Sequence, residues 1–294
     1  MSDITVINDS QQSELVTNGL AKNGELYLKA AGSTDAGAIV VYDSGSWRTF
    51  ANEASASFTN TYSVDFDGAN DSIDAVSDPG LDVYSLSFWL KTTQTAFNIP
   101  VGGFGRGVYD NYGGVRLDAG AGRIIEINDG STYIACGNVT SSDLNDGAWH
   151  NITVVYVPSG YTTSTGTATN SGEGYKIFLD GTRVDTALGS TSHNFGLMAT
   201  TSDFRLGREG KRALYFYNGL IDEVAIFGSS LSDSDITAIY NSGTPADLSS
   251  YSPTLWWRMG DDDEGTGTTI TDQGSGGTNG TLTNGPTFST DVPS

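Results

Sequence analysis

Short apolar runs with a period of two recur along this chain, separated by turn-forming residues. Tyr62, Val64 and Phe66 alternate with Ser63, Asp65 and Asp67, the pattern of a strand whose side chains point to opposite faces. Leu86-Ser87-Phe88-Trp89-Leu90 repeats it. Further strands are predicted at Gly113–Leu117 and at Ile124–Ile127, the latter closed by Asn128-Asp129-Gly130. Asn151–Val157 is strongly β-branched and stops at Pro158, a residue that cannot donate to a ladder. Tyr175–Leu179 runs into Asp180-Gly181, a type I′ hairpin signal, and returns through Arg183-Val184. Phe204–Gly207 is a further short strand, and the Ser/Thr/Gly-rich residues 159–174 read as a long surface loop.

The stretch from Tyr217 to Asn241 has the sharpest pattern. Asn218-Gly219 reads as a tight turn. In the strand that follows, alternation puts Leu220, Val224 and Ile226 on one face and Ile221, Ala225 and Phe227 on the other. Both faces are apolar, so the strand is expected to be covered on both sides. Asp222 falls with Val224 and Ile226, where a carboxylate needs hydrogen-bond donors or a cation. A helix start follows, with Ser232 as N-cap, Asp235 three residues on as in a capping box, and Leu231 and Ile236 spaced as a hydrophobic staple. Ile236, Ile239 and Tyr240 form an apolar stripe, and Gly243 is the expected stop.

Composition narrows the function classes. Apolar residues make up 37% of the 294 and glycine is abundant at 38, a profile of many short strands joined by many turns. The net charge of −21 argues against wrapping nucleic acid or binding an anionic membrane. With one cysteine, Cys136, no intrachain disulfide can form. No signal-peptide pattern opens the chain and no apolar run has the length of a membrane span, so synthesis and folding in a cytoplasm are expected.

Six segments together resemble the laminin-G-like and concanavalin A-like jelly rolls. They are Phe66–Asp71, Leu86–Leu90, Asp146–His150, Ile177–Gly181, Phe204–Gly207 and Tyr217–Phe227, in the family's order across about 190 residues. The resemblance implies an all-β fold, a two-sheet antiparallel jelly-roll sandwich. Three regions are expected: a small β-rich N-terminal arm over residues 1–55, the jelly roll over 56–245, and a C-terminal segment over 246–294. The arm contains Leu26-Tyr27-Leu28, Ile39–Tyr42, the turn Asp43-Ser44-Gly45 and Trp47. Its Gly24-to-Trp47 pattern resembles short β elements of bacteriophage tail-fibre and appendage proteins, and equally an ordinary hairpin with an aromatic plug. It is too small to hold a core of its own. In 246–294, Leu255–Asp261, Thr269–Asp272 and Asn279–Pro286 look like the piece that usually precedes the Phe-Asp-Gly strand in this family. Either it completes the same jelly roll or it is the stub of a second repeat. Completion is favoured, because Trp256 and Trp257 in a stub would have nothing to bury them.

No Glu-x-Asp-x-x-Glu strand, which the jelly-roll glycoside hydrolases use for paired-carboxylate chemistry, is present. Glu126 and Glu223 stand alone, His150 reads as a structural residue entering a strand, and no Cys/His pair is evident. The chain is therefore expected not to be an enzyme. The resemblance implies a calcium ion, and Asp67, Asn70, Asp71 and Asp222 are its candidate ligands, oxygen donors of the kind calcium takes. Asp261–Glu264 reads as a solvated acidic turn. Glycan recognition would need an exposed aromatic side chain with polar neighbours. Tyr109, Tyr112, Tyr161, Tyr215 and Tyr217 are candidates that the sequence does not place together.

The expected function is that of a non-enzymatic virion structural protein, of the type found in marine bacteriophages: a capsid decoration, fibre or tail appendage. Its partners would be other virion proteins through the N-terminal arm, further copies of itself, and a host-surface glycan. The alternatives are a cellular carbohydrate-binding or adhesion module and a divergent glycan-degrading enzyme.

Overall fold

A computed structural model describes residues 5–7, 10, 26–29, 39–43, 46–49, 58–75, 82–95, 99–103, 113–117, 125–129, 133–137, 144–160, 162, 174–186, 198–199, 204–208 and 216–294. The chain divides into two compact units, Met1–Phe58 and Thr59–Ser294. The first holds a four-stranded sheet in the order β1 (Thr5–Ile7), β2 (Leu26–Lys29), β3 (Ile39–Asp43), β4 (Ser46–Thr49). Its first pair is parallel and the other two are antiparallel.

The second unit is a sandwich of two antiparallel sheets. Its strands in chain order are β5 (Ser63–Asp67), β6 (Ser72–Ala75), β7 (Asp82–Val83), β8 (Ser85–Lys91), β9 (Ile99–Gly103), β10 (Gly113–Leu117), β11 (Ile125–Asp129) and β12 (Tyr133–Gly137). There follow β13 (Trp149–Val157), β14 (Gly174–Leu179), β15 (Thr182–Arg183), β16 (Asp185–Thr186), β17 (Met198–Ala199), β18 (Arg205–Leu206) and β19 (Asn218–Phe227). Helix α1 (Asp233–Tyr240) precedes β20 (Leu255–Trp257), β21 (Thr269–Ile270), β22 (Gly280–Thr283) and β23 (Thr287–Ser289). One sheet has the order β15-β14-β13-β8-β19-β5-β23, with β20 also on β19. The other runs β16-β12-β11-β10-β9-β18-β6-β22-β21, and β7 and β17 form a separate antiparallel pair. No helix among the described residues is long and apolar enough to cross a membrane.

The core lies between the two sheets. Val64, Phe66, Leu86, Phe88, Leu90, Ile152, Val154 and Ile177 enter it from one side, and Ile73, Val115, Leu117, Leu206 and Ile270 from the other. Alternate residues of β8 and β13 reach it, as a period of two requires. The tail pairs into both sheets: β20 with β19, β22 with β6, and β23 with β5. Trp257 is fully buried, packs against Phe204 with ring centroids 5.3 Å apart, and donates its indole N–H to the Thr278 carbonyl at 2.8 Å. The tail loops are held by carboxylates that accept backbone N–H groups. Asp272 takes those of Trp256, Gly274 and Thr278 at 2.8 Å each, and Asp263 takes that of Thr271 at 2.9 Å. Asp291 bonds the Lys91 ammonium at 2.5 Å and the Trp149 indole at 2.9 Å, and its carbonyl accepts from the Ser63 hydroxyl at 2.7 Å.

Three local expectations need correction. Asn218-Gly219 is not a hairpin turn but the first two residues of β19. Gly219 has φ +141°, and a Cβ there would lie 2.3 Å from the Lys91 carbonyl oxygen, so close backbone approach is what demands glycine. The helix stops at Asn241 rather than Gly243: Asn241 is the left-handed C-cap, φ 47°, a conformation asparagine tolerates. Asp222 does not share a face with Val224 and Ile226. Ile221, Val224 and Ile226 all enter the core cluster, whereas Asp222 stands opposite Trp89 on the other face. A bulge is the cause: β19 places two residues, Glu223 and Val224, where β8 has Phe88 alone between Trp89 and Ser87. The capping box is present in full, with Ser232 and Asp235 each accepting from the other's backbone. Ile236 and Ile239 are buried, and Tyr240 stacks on Trp89, centroids 5.8 Å apart.

The tail strands are thus part of the core. Trp257→Ala is expected to lower the unfolding free energy by about 3–5 kcal/mol, the range for truncating a fully buried large aromatic side chain. Urea titration followed by tryptophan fluorescence measures it; a loss under about 1 kcal/mol would mean that the tail packs only loosely.

Candidate functional site

The bulge in β19 marks a seam. On one edge β19 pairs with β5 over Asn218–Ile221, and then with β20 over Val224–Ile226. Asp222 and Glu223 sit where one partner gives way to the other. Glu223 takes φ +46°, a left-handed conformation that costs a non-glycine residue roughly 1–2 kcal/mol. Asp222 is 0% exposed and Glu223 3%.

Side chains from the segments leading into β5 and out of β20 converge on this pair. The Asn60 side-chain amide donates to Asp222 Oδ2 at 2.9 Å, and the Glu223 backbone N–H to Asp222 Oδ1 at 2.8 Å. Glu223 Oε2 accepts the Trp256 indole N–H at 2.5 Å, and Oε1 accepts from Arg258 Nε at 3.2 Å. The Arg258 guanidinium also donates to the Thr59 carbonyl at 2.6 Å and to Asp261 Oδ2 at 2.9 Å, and lies 3.6 Å from Asp262. It stands over the Trp256 ring, 5.4 Å from the centroid. Asp261 Oδ1 accepts the backbone N–H groups of Thr61 and Tyr62 at 2.8 and 3.0 Å. The acidic turn of the sequence reading is therefore only partly solvated: the side chain of Asp261 is 4% exposed and that of Asp262 33%.

Burial pushes the Glu223 carboxyl up to about 7, against the opposing pull of Arg258 and the Trp256 hydrogen bond. Burial, with the neighbouring Glu223 charge, also holds the Asp222 carboxyl well above the usual carboxylate range, and burial raises Asp261.

The four residues proposed for calcium do not assemble. Asp67 pairs with Asn218, four residues before Asp222 and so roughly 13 Å along the strand at about 3.3 Å per residue. Asp67 Oδ1 accepts the N–H groups of Ala69 and Asn70, at 2.7 and 3.4 Å, and the buried Asp71 accepts that of Asp67 at 2.9 Å. Asn70 is exposed, with its carbonyl taken by the Asn284 side-chain amide. These oxygens organise their own loop. Among the described residues, no group of three or more His, Cys, Asp or Glu side chains is placed to hold a metal ion. The four candidate residues thus do not form one site for the ion that the resemblance implies, since Asp222 lies apart from the loop of Asp67, Asn70 and Asp71.

A second polar cluster lies at the start of β13. His150 Nδ1 is 2.8 Å from Asp180, and Nε2 is 3.2 Å from Asp146. The Asp180 hydrogen bond is the main cause that raises the His150 pKa. At the same end of the sheet, register aligns Trp149, Lys91, Leu220, Asp65 and Thr287 across five strands. Residues directly opposite in a ladder share a face. Trp149 and Lys91 are half-buried, and Asp65 and Thr287 are exposed. Of the candidate tyrosines, Tyr217 is fully buried, its single hydroxyl proton shared between the carbonyls of Lys91 and Leu220, each 3.1 Å away. Tyr109, Tyr112, Tyr161 and Tyr215 lie outside the described residues, as does the side chain of Cys136.

The sequence reading singled out Asp222 but missed Asn60, Glu223, Trp256 and Arg258 as its surroundings. One signal was available: Arg258 is the only Lys or Arg among residues 246–294, and it stands three residues before Asp261, the first of the acidic turn.

Two facing antiparallel sheets, with a tail that pairs into both, define a lectin-type jelly roll. Residues 67–237, more than half of the chain, match the family described as the concanavalin A-like lectin/glucanases superfamily, and the chain belongs to that family. Among solved structures, it is similar to a protein of Bacteroides ovatus described as a "putative carbohydrate binding protein". The TM-score is 0.51 at 17% identity, covering 92% of this chain and 71% of that one. The heptameric SAP-like pentraxin of Limulus polyphemus gives 0.41 at 11% identity, covering 62% and 82%. Domains LG4-5 of the mouse laminin alpha1 chain give 0.36 at 17%, covering 67% and 50%. A search of curated proteins finds no match.

The raised carboxyls set a direction for pH dependence. A carboxyl whose folded value exceeds its unfolded one adds stability below the unfolded value, and that stability is lost as pH rises through the folded value. For Glu223 the window runs from its ordinary 4.5 to about 7, a change on the order of 3 kcal/mol. Thermal melts are expected to show a higher midpoint near pH 5 than near pH 8, with a shallower slope in Glu223→Gln. A midpoint that rises with pH over this interval would contradict the assignment.

Proposed function

We propose that this protein is a non-catalytic carbohydrate-binding module, with its sugar-facing surface at the rim row of Trp149, Lys91, Asp65 and Thr287. The observation that carries the reading is this row within a concanavalin A-like lectin/glucanase domain. It offers a half-exposed indole plate next to the Lys91 ammonium, with the Asp65 carboxylate and the Thr287 hydroxyl about 14 and about 19 Å further along at about 4.8 Å per strand, the span of an oligosaccharide. A sugar ring needs that combination: an apolar face to lie on and hydrogen-bonding groups at its edge. The Trp149 indole N–H is tied to Asp291, which orients the ring before a ligand arrives. Asp222 and Glu223, the adjacent carboxylates of β19, are buried with all four oxygens accepting hydrogen bonds. That removes them from acid–base work on a glycosidic bond. The net charge of −21 repels polyanions and favours neutral glycans.

A second reading is a virion structural protein that displays the jelly roll in several copies through its N-terminal unit. It draws on the separate compact unit Met1–Phe58 with its own four-stranded sheet. Proteomics of purified particles decides it, and absence of the chain from particles removes it.

For the carbohydrate reading, a glycan array followed by calorimetry is the test. A neutral oligosaccharide is expected to bind, and Trp149→Ala to weaken it at least about tenfold, roughly 1.4 kcal/mol. Trp149→Phe, which keeps a ring, should retain most of the affinity. Silence across neutral glycans, or a Trp149→Ala protein that binds as the parent does, would overturn it.

A further inference from the structure

The seam gathers more negative charge than its position tolerates. Asp222, Glu223 and Asp261 are almost wholly buried, and Asp262 sits at the mouth. Isolated ionised carboxylates in such a place are costly and must be paired. An acidic oxygen set of this kind would be a natural place to seek a divalent cation. Here the oxygens point elsewhere. Glu223 Oε1, Asp261 Oδ2, Asp262 Oδ2 and the Thr59 carbonyl all face the guanidinium of Arg258.

We infer that Arg258 is the built-in counter-ion of this jelly roll, holding the seam between β5 and β20 so that closure there needs no calcium. The geometry suits a guanidinium better than a metal. Calcium asks for six to eight oxygens around a point. Here four oxygens lie around a planar fork, and the Trp256 ring covers the group at 5.4 Å. Glu223 Oε2 and Asp261 Oδ1 are held by the Trp256 indole and by the Thr61 and Tyr62 N–H groups, and are not free to turn toward an ion. A guanidinium keeps its charge at every accessible pH and can donate to several acceptors at fixed angles.

The partners come from three distant parts of the chain. Thr59 belongs to the segment entering β5, Glu223 to β19, and Asp261 and Asp262 to the segment leaving β20. One side chain therefore ties the start of the jelly roll, its bulge and its tail. Asp222 faces Asn60 and the Glu223 N–H rather than the guanidinium. Among the described contacts, the titratable groups that reach Arg258 are Glu223, Asp261 and Asp262, with Asp222 behind them. The segment from Thr59 to Tyr62 contributes only neutral donors and acceptors to the cluster.

The test is thermal unfolding of the full chain and its variants, with chelator and with millimolar calcium, near pH 8 and near pH 5. The parent midpoint is expected to be the same with and without calcium. Arg258→Met should lower it, and by at least twice as much near pH 8, where the carboxyls ionise, as near pH 5. Arg258→Lys, which keeps the charge and loses the fork, should fall between. If Arg258→Met does not fold near pH 8, the double variant Glu223→Gln/Arg258→Met carries the test, and it should recover a large part of the loss. A parent midpoint that climbs with calcium overturns the inference. So does an Arg258→Met loss equal at both pH values, or a double variant no more stable than Arg258→Met.

Discussion

β19 must serve two strands along one edge, and the rest of the sandwich depends on how that handover is made. β5 and β20 both run antiparallel to β19, so they lie in line as two halves of one composite strand. Their facing ends are Ser63 and Trp257, and just beyond them Thr61 and Asp261, 200 residues apart in the chain, are hydrogen-bonded. Neither half continues through the gap, so backbone groups and side chains there need other partners. The bulge that follows Asp222 leaves two carboxylates, Asp222 and Glu223, at the gap. Asn60, Arg258 and the N–H groups of Thr61 and Tyr62 complete the set.

This arrangement explains why so acidic a chain closes its own fold. Many of its carboxylates serve as acceptors for backbone N–H groups in loops, as Asp67, Asp263 and Asp272 do. Such groups need no cation, because a carboxylate takes several N–H bonds readily. The seam differs because its acids are buried together, and mutual repulsion adds to desolvation. Buried ion clusters contribute little net stability relative to well-packed apolar groups, yet removing one partner is costly. Their effect here is to make the pairing of head and tail specific: a shifted register would leave Glu223 without Trp256 and Arg258.

The same closure bears on the proposed sugar surface. The rim row is built from β13, β8, β19, β5 and β23, so its last member arrives only with the tail. Asp291 then fixes Lys91 and Trp149 from outside the sheet. A recognition surface on paired strands inherits their rigidity, which lowers the ordering cost on binding. Asp222, the acid that the sequence made most conspicuous, lies opposite Trp89 on the same face, one row along from Leu220 and Lys91, but is buried and belongs to the scaffold.

Features governed by near neighbours were legible in the sequence. The strands Ser63–Asp67, Ser85–Lys91 and Trp149–Val157, and the capping box of Ser232 and Asp235, follow from periodicity and from contacts three residues apart. The two-sheet class followed from the resemblance that six ordered segments bear to the laminin-G-like jelly rolls. The bulge was not legible, because Ile221, Val224, Ile226 and Phe227 are all apolar and an inserted residue leaves no mark on such a run. Nor were the partners of Asp222 and Glu223. Asn60 lies 162 residues from Asp222 and Arg258 35 from Glu223, and a carboxylate in a sequence does not reveal which distant donor will reach it. Sequence by itself determined which segments extend, where they turn and which faces must be covered, since those depend on local backbone and side-chain preferences. Only the tertiary structure decided where the acids go, because their burial and neutralisation are set by which distant segments the sheet brings to one edge of β19.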